Sequence, residues 1–446
     1  MPSRNSDALS PAIKEQLIQQ ALERRKLRSG SSGFCADSAP TAKEIPEQHY
    51  RFRLHPGYRQ IQLIKEGAEK IGIQHPYFKI HEGNAGVMTI IAGREYINFA
   101  SYNYLGLSGD ARVNKAAHTA IDQYGTSVSA SRLVSGERDI HRKLERALAY
   151  AYDTDDAVTM VSGHATNVTV IGHLFGPRDL ILHDTLVHNS ILQGIQLSGA
   201  HRLPFPHQDW AALDRILTDQ RAQFERVLIV IEGLYSMDGD YPDLPRFIEI
   251  KRRHKTFLMV DDAHGFGVMG ATGLGIREHF GISGKDVDIW MGTLSKALAG
   301  CGGYIAGESA LIEHLKFLAP GFLYSVGMPP PMAAAALTAL QCLREEPQRV
   351  KALQHRSKLF QEAARDAGID TGTSMGFAII PAITGNSVNA VKLSSALMGH
   401  GIHVQPILYP AVPEKTARLR FFINCGHTEE QILETVDALR KEMKRL

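Results

Sequence analysis

The sequence predicts an α/β chain with two parts. The larger carries a mainly parallel sheet sandwiched by helices, and the smaller is an α+β domain at the C-terminus. Three observations predict this. Five apolar runs, at Ala157–Val161, Asp179–His183, Arg226–Ile231, Thr256–Val260 and Val287–Met291, alternate with helical patterns such as Trp210–Gln223 and Leu244–Arg253. Nearly continuous apolar strands separated by helices are the signature of a parallel sheet buried on both faces. Polar clusters follow these runs: Ser162-Gly-His-Ala-Thr-Asn167, Glu232-Gly-Leu-Tyr-Ser236, Asp261-Asp-Ala-His264 and Gly292-Thr-Leu-Ser-Lys296. Ligands of such sheets bind beyond the carboxyl ends of the strands, where these clusters fall. Finally, the pattern changes after Pro329-Pro-Pro331, where long helices alternate with short runs at Ala378–Ile380, Ile402–Gln405 and Leu419–Ile423.

Taken in order, residues 1–45 read as a helix (Ala12–Arg28) joined by the linker-like Ser29-Gly-Ser-Ser-Gly-Phe34 to the body, or as a tail without structure. Residues 46–100 hold a helix over Tyr58–Ile71 and a hairpin in which Val87–Ile91 and Tyr96–Phe99 flank Ala92-Gly93-Arg94-Glu95. This segment is expected to pack on the small domain. The large domain is assigned to 101–330, with helices over Val113–Tyr124 and Ile140–Tyr152, and the small domain to 331–446.

Composition removes several functional classes. A chain of 446 residues with 44% hydrophobic and 22% charged content is globular and large enough for more than one core. A net charge of +2 carries no electrostatic footprint for nucleic acid. No apolar span reaches membrane length and the N-terminus has no signal-like apolar region, so a cytoplasmic protein is expected. The four scattered cysteines (Cys35, Cys301, Cys342, Cys425) form no CxxC pair, as expected in a reducing compartment. Twenty histidines raise a zinc hydrolase using His183, Asp184 and His188, but no HExxH or paired-Cys spacing supports it, and no metal is expected.

Lys296 follows a strand and sits among Thr293, Ser295 and a run of small residues, Ala297, Ala299, Gly300, Gly302 and Gly303. That setting suits either a lysine that forms a Schiff base with an aldehyde, with hydroxyls for a phosphate, or a surface lysine in a Gly-rich turn. The other strand ends favour the first. Asp261 can keep a pyridine nitrogen protonated, and His264 can bond the ring oxygen. Gly163 and His164 open a helix whose N–H groups suit a phosphate, and Ser236 and Thr293 add hydroxyls. Singly, each has a plain alternative, with Asp261 a helix cap, His264 a core histidine and Gly163 a turn.

The chain resembles the α-oxoamine synthase family of fold-type I pyridoxal-phosphate enzymes from about Ile97 to Leu446. The likeness rests on Asn103-Tyr-Leu-Gly, Ser131-Arg-Leu-Val-Ser-Gly, Glu232–Asp240, Val260–Val268 and Gly292-Thr-Leu-Ser-Lys-Ala. It implies a pyridoxal 5'-phosphate cofactor held by Lys296, His188 stacked on its ring, Asp261 at the ring nitrogen and His264 at the ring oxygen. It further implies cofactor contacts from Gly163, His164, Ser236 and Thr293, and from Ser325 of a neighbouring subunit. Asn103 and Arg420 match substrate positions, with Arg420 expected to pair with the amino-acid carboxylate; the neighbouring Arg418 competes for that role, and His207 is a further candidate at the acyl carbonyl.

The implied reaction is a decarboxylative Claisen-type condensation of a small amino acid with an acyl thioester, giving an α-amino ketone. An aminotransferase or amino-acid decarboxylase is the alternative within the same cofactor chemistry. Ser127–Ser131 and Ala411 depart from the family's glycines and threonine, and Val326 replaces a frequent hydroxyl. The Gly125–Ser131 form and the long N-terminal segment look more like synthases of polyketide assembly, which makes an acyl carrier protein a candidate donor beside coenzyme A. A homodimer with shared active sites is implied, with neither nucleic acid nor membrane as partner.

Overall fold

The computed structural model describes residues 45–70 and 76–446. The expected helix at Ala12–Arg28 and the linker after it lie outside the described residues. Two compact units divide between Lys70 and Ile71. In the first, two 3-10 turns precede the helix Pro56–Lys70.

The second unit contains three sheets. Its strands are β1 (His81–Glu82), β2 (Met88–Ile91), β3 (Arg94–Asn98), β4 (Asp156–Met160), β5 (Leu180–Asp184), β6 (His201–Phe205) and β7 (Val227–Glu232). They continue as β8 (Phe257–Asp261), β9 (Ile289–Thr293), β10 (Gly303–Gly307), β11 (Ile379–Ile383), β12 (Ile402–His403), β13 (Gln405–Ile407) and β14 (Arg418–Phe422). The central sheet has seven strands in the order β4-β10-β9-β8-β7-β5-β6. The pairs from β9 through β8, β7 and β5 to β6 are parallel, while β10 runs antiparallel to both its neighbours. Every residue of β5 and β7 is buried, which is why those runs read as continuous apolar stretches.

Two strands of this sheet escape the sequence reading. β6 lies at an edge, is mostly exposed and contains Pro204, so it lacks the apolar run of a central strand. β10 is bracketed by Gly303 and Gly307 and reads as part of a Gly-rich turn.

The expected hairpin forms between β2 and β3, with Ala92 and Gly93 at φ 51° and 72° as its two central residues. Two successive positive φ values match the twist of the flanking strands. β3 also pairs in parallel with β12, tying residues 81–98 to the C-terminal region. There, β11, β14 and β13 form an antiparallel sheet contacted by the helices Ser387–Gly399 and Pro347–Asp366, and the helix Glu429–Met443 packs on both of these helices. The long helices expected after Pro329 and near Gln348 form at Pro330–Glu345 and Pro347–Asp366. Among the described residues no helix is long and apolar enough to cross a membrane.

Candidate active site

The strand-end clusters converge. A cavity of about 230 Å³ is lined by Gly163, His188, Asp261, His264, Thr293 and Lys296, together with His164 and Ser236. A larger cavity, about 570 Å³, lies elsewhere, lined by Phe257, Ile289 and Gly307 among others, and contains none of these groups. Chemistry, not size, marks the first as the site.

Its floor is Asp261, the buried last residue of β8. Asp261 Oδ2 accepts a hydrogen bond from Asn167 Nδ2 at 2.8 Å, and Oδ1 accepts from the Ala263 N–H at 3.1 Å. The same Asn167 amide donates to Ser190 Oγ at 2.9 Å, and Ser190 Oγ lies 2.7 Å from His188 Nδ1. Because the Ser190 N–H also points at His188 Nδ1 (3.3 Å), that nitrogen is the acceptor and the ring proton sits on Nε2. The His188 N–H is in turn held by Glu232 Oε1 at 2.6 Å. Asp261, Asn167, Ser190 and His188 thus form one polar chain from floor to wall.

His264 stands beside this chain, its Nδ1 2.8 Å from the Tyr104 hydroxyl. Burial first, then the charges of Lys296, Arg420 and His188, depress its pKa well below the ordinary histidine value, so it is neutral at pH 7. Lys296 is tuned in the same direction. Burial lowers its pKa, Asp261 and Glu232 raise it, Arg420 lowers it again, and it settles at about 8. An amine near 8 is neutral often enough near physiological pH to attack a carbonyl. Glu232, at the end of β7, is pushed well above the carboxylate range by burial and by Asp261.

One end of the cavity is shaped for a phosphate. Ser162 caps the helix Gly163–Leu174 by accepting from the Ala165 N–H, and Thr166 N–H returns to Ser162 O. The cap does not use the N–H groups of Gly163 and His164. A Cβ on Gly163 would press on Thr293 Oγ1 at 3.0 Å, and one on Gly303 would stand 2.7 Å from Gly163 Cα, closer than a side chain there allows. Thr293 Oγ1 donates to Gly302 O and accepts from the Ser295 N–H, which fixes the loop leading to Lys296. His164 Nε2 is 3.0 Å from Gln193 Oε1.

Such a donor set fits pyridoxal phosphate: an amine for the aldehyde, a carboxylate for the ring nitrogen, one histidine for the ring face and one for the ring oxygen, and a glycine-opened helix for the phosphate. The buried Asn167 Oδ1 has no hydrogen-bond partner, which marks room for a further polar contact there.

Five candidates lie off this lining. Arg420, on β14, donates to Ser236 O at 2.9 Å and has a buried Nε without a partner, so it borders the site with donor capacity to spare. Arg418 is spent, bonded to Asp238 Oδ1 at 2.6 Å and to the Met237 and Thr416 carbonyls. Of the two arginines, Arg420 is the one with a buried N–H left unbonded. Asn103 is buried, its amide donating to Ala85 O and Ser108 O and its oxygen accepting from the Ser108 N–H, so its side chain holds a loop. Ser325 lines a separate small cavity with Arg132 and Thr159, beside the exposed Tyr324 and Val326. His207 is likewise absent from the Lys296 lining, being held by Asp184 and Asp240.

The sequence reading placed Asn167 and Glu232 in strand-end clusters and Tyr104 in a family motif without giving them a role, and gave none to Ser190. Asn167 is one helical turn beyond Gly163 and Ser190 two residues beyond His188, so spacing carried a signal for both. Tyr104 is 160 positions from His264 and only the fold joins them.

Known proteins bear on this geometry. Residues 94–439 match the model of the aminotransferase class I and II family. The 8-amino-7-oxononanoate synthase of Symbiobacterium thermophilum is 40% identical over 354 residues, covering 79% of this chain and 90% of that protein. The chain belongs to the α-oxoamine synthases. Among solved structures, Sphingomonas wittichii serine palmitoyltransferase superposes with a TM-score of 0.84 at 29% identity, over 88% of this chain and 98% of that one. A variant serine palmitoyltransferase from S. paucimobilis with bound PLP gives a TM-score of 0.84 at 25% identity, over 87% and 98%. The fold is therefore that of a fold-type I pyridoxal-phosphate transferase, and the chain is a pyridoxal-phosphate-dependent enzyme. Among the described residues no group of three or more potential metal ligands occurs.

Proposed function

We propose that the Lys296 cavity condenses a small amino acid with an acyl thioester, releasing the thiol and carbon dioxide and leaving an α-amino ketone. The observation that carries this is the convergence of Lys296, Asp261, His264 and His188 on one cavity, in a chain of the α-oxoamine synthase family. When bound, pyridoxal phosphate supplies an electron sink that makes the Cα–H and Cα–carboxylate bonds of the amino acid labile.

The protein's own groups do the rest. Lys296 is the attachment point for the aldehyde and moves the Cα proton, a task suited to an amine tuned to about 8. Asp261, fixed through Asn167, would meet the ring nitrogen of the bound cofactor, and neutral His264 would donate to the ring oxygen from Nε2. Nδ1 of that histidine is engaged by Tyr104. His188 forms a rigid wall for the ring. Gly163, His164 and Ser236 would hold the phosphate, joined by Thr293 if its hydroxyl turns from Gly302 O, and Arg420 would receive the substrate carboxylate with its spare N–H groups. A thioester suits the acceptor role because its carbonyl is electrophilic and its thiolate leaves readily.

The donor is an acyl-CoA or an acyl carrier protein; the Gly125–Ser131 form and the long N-terminal segment are the reasons to keep the second. We read the enzyme as a cytoplasmic homodimer in which Ser325 serves the phosphate of the neighbouring subunit. Its distance in the chain from the other phosphate contacts, and the exposed Tyr324 and Val326 around it, support this. The free Cys301, Cys342 and Cys425 suit a reducing compartment.

Thiol release from an acyl thioester in the presence of glycine, alanine or serine tests the reading. Thiol release dependent on the amino acid is expected. Keto-acid formation without thiol would instead identify an aminotransferase.

A further inference from the structure

His207 follows β6, and both of its ring nitrogens face carboxylates. Nδ1 lies 2.9 and 3.0 Å from the two oxygens of Asp184, and Nε2 lies 3.2 Å from Asp240 Oδ2. Two acceptors call for two N–H donors, so this ring is an imidazolium. The Gln208 amide, 3.2 Å from Nε2, suits a charged ring once turned to present its oxygen, and the Tyr235 ring packs edge-on at 4.5 Å. Burial works against the charge, but the bonds to Asp184 and Asp240 outweigh it and hold the pKa at about 10.

The two aspartates belong to different parts of the site. Asp184 ends β5 four residues before His188, and it also accepts from the Leu186 and Gln208 N–H groups at 2.8 and 2.7 Å. Asp240 closes the loop after β7, and it receives Thr373 Oγ1 at 2.6 Å from the segment preceding β11. That loop carries Ser236, whose carbonyl accepts from Arg420, and Asp238, which pairs with Arg418. The Met375 N–H closes the seam on Gly239 O at 3.0 Å. A continuous polar path therefore runs from the segment bearing His188, through Asp184, His207 and Asp240, to the loop on which Arg420 rests.

We propose that His207 is a positioning residue that fixes Arg420 relative to His188 and so sets the affinity for the amino-acid carboxylate, rather than a contact for the acyl carbonyl. This rests on the condensation reading above and on Arg420 as the carboxylate partner. Removing the cation leaves Asp184 and Asp240 without their shared partner and frees the loop beneath Arg420 to shift.

The test uses full-length holoprotein and whichever of glycine, alanine or serine the wild type turns over; absence of any turnover would count against the condensation reading itself, not this one. For His207→Gln, the amino-acid KM and the calorimetric Kd without thioester should both rise about tenfold to a hundredfold, the scale of a small misplacement. The thioester KM should stay within about twofold and the cofactor absorbance should be retained, since uniform binding to the other substrate is untouched. Thr373→Val leaves His207 in place and removes one bond to Asp240, so its amino-acid KM should rise about threefold, as for the loss of a single hydrogen bond. A folded His207→Gln with unchanged amino-acid affinity would overturn the proposal, as would a rise confined to the thioester KM. Should His207→Gln fail to fold, an unchanged amino-acid KM in Thr373→Val would overturn it alone.

Discussion

The carboxyl ends of the central sheet and the C-terminal antiparallel sheet build their sides of the site differently. At the central sheet, several functional groups are fixed by near neighbours: Thr293 by Gly302 and Ser295, His188 by Ser190, and the Gly163 helix by its own Ser162 cap, although Asp261 and His264 also draw on the remote Asn167 and Tyr104. On the other side, Arg418 and Arg420 are fixed by partners 180 and 184 positions away in the chain, at Asp238 and Ser236. The first side is preorganised for cofactor chemistry, and the second depends on how the 233–240 loop meets β14. Cofactor-side changes should therefore abolish chemistry, and those at the seam should alter substrate affinity.

The sharpest test of that division is Lys296→Ala, which should lower thiol release by about 10²–10⁴-fold from lost proton transfer alone and remove the cofactor's lysine-bound absorbance. Retention of that band would place the attachment elsewhere. Next, Arg420→Ala should raise the amino-acid KM about tenfold to a hundredfold, as for a charge-assisted bond, with the band intact. Arg418→Ala should instead lower the melting temperature, because it leaves the Asp238 carboxylate without its buried partner. If the two variants exchanged phenotypes, the assignment of Arg420 to substrate would fall. A milder effect is expected of Gly163→Ala, whose Cβ would press on Thr293 Oγ1 at 3.0 Å. Cofactor affinity should drop several-fold, roughly 1 kcal/mol, with little change in thermal stability; equilibrium dialysis against pyridoxal phosphate reads it.

The smallest effects are pH slopes. Only the neutral Lys296 amine attacks an aldehyde, so cofactor loading of the apoprotein should speed up with rising pH and level off above about 8. His207 gives the opposite sign. Its folded pKa, about 10, exceeds the ordinary value of 6.5, so its contribution to stability is complete below 6.5 and is lost as pH rises through 10. The melting-temperature gap between wild type and His207→Gln should therefore shrink across that window. A constant gap would mean that the ring is not charged.

How much of this was legible in the sequence follows the same division. Lys296, Asp261, His264 and Gly163 could be read because each follows directly on, or ends, an apolar run, and parallel sheets place such positions around one crevice. The β2–β3 turn was legible from Ala92-Gly93. What was not legible depends on contacts remote in sequence or on weak local patterns. β6 and β10 lack apolar runs, Tyr104 meets His264 only through packing, and Asn103 carries a side chain suited to substrate but spent on Ala85 and Ser108. The family likeness supplied His188 and Arg420, and spacing alone could not separate Arg420 from Arg418.

The central claim is that the cofactor is carried by Lys296 within this cavity. The most direct measurement is borohydride reduction of the protein loaded with pyridoxal phosphate, followed by peptide mapping. Recovery of the reduced pyridoxyl group on the peptide bearing Lys296 is predicted. Its recovery on a different lysine, or on none, would contradict the account.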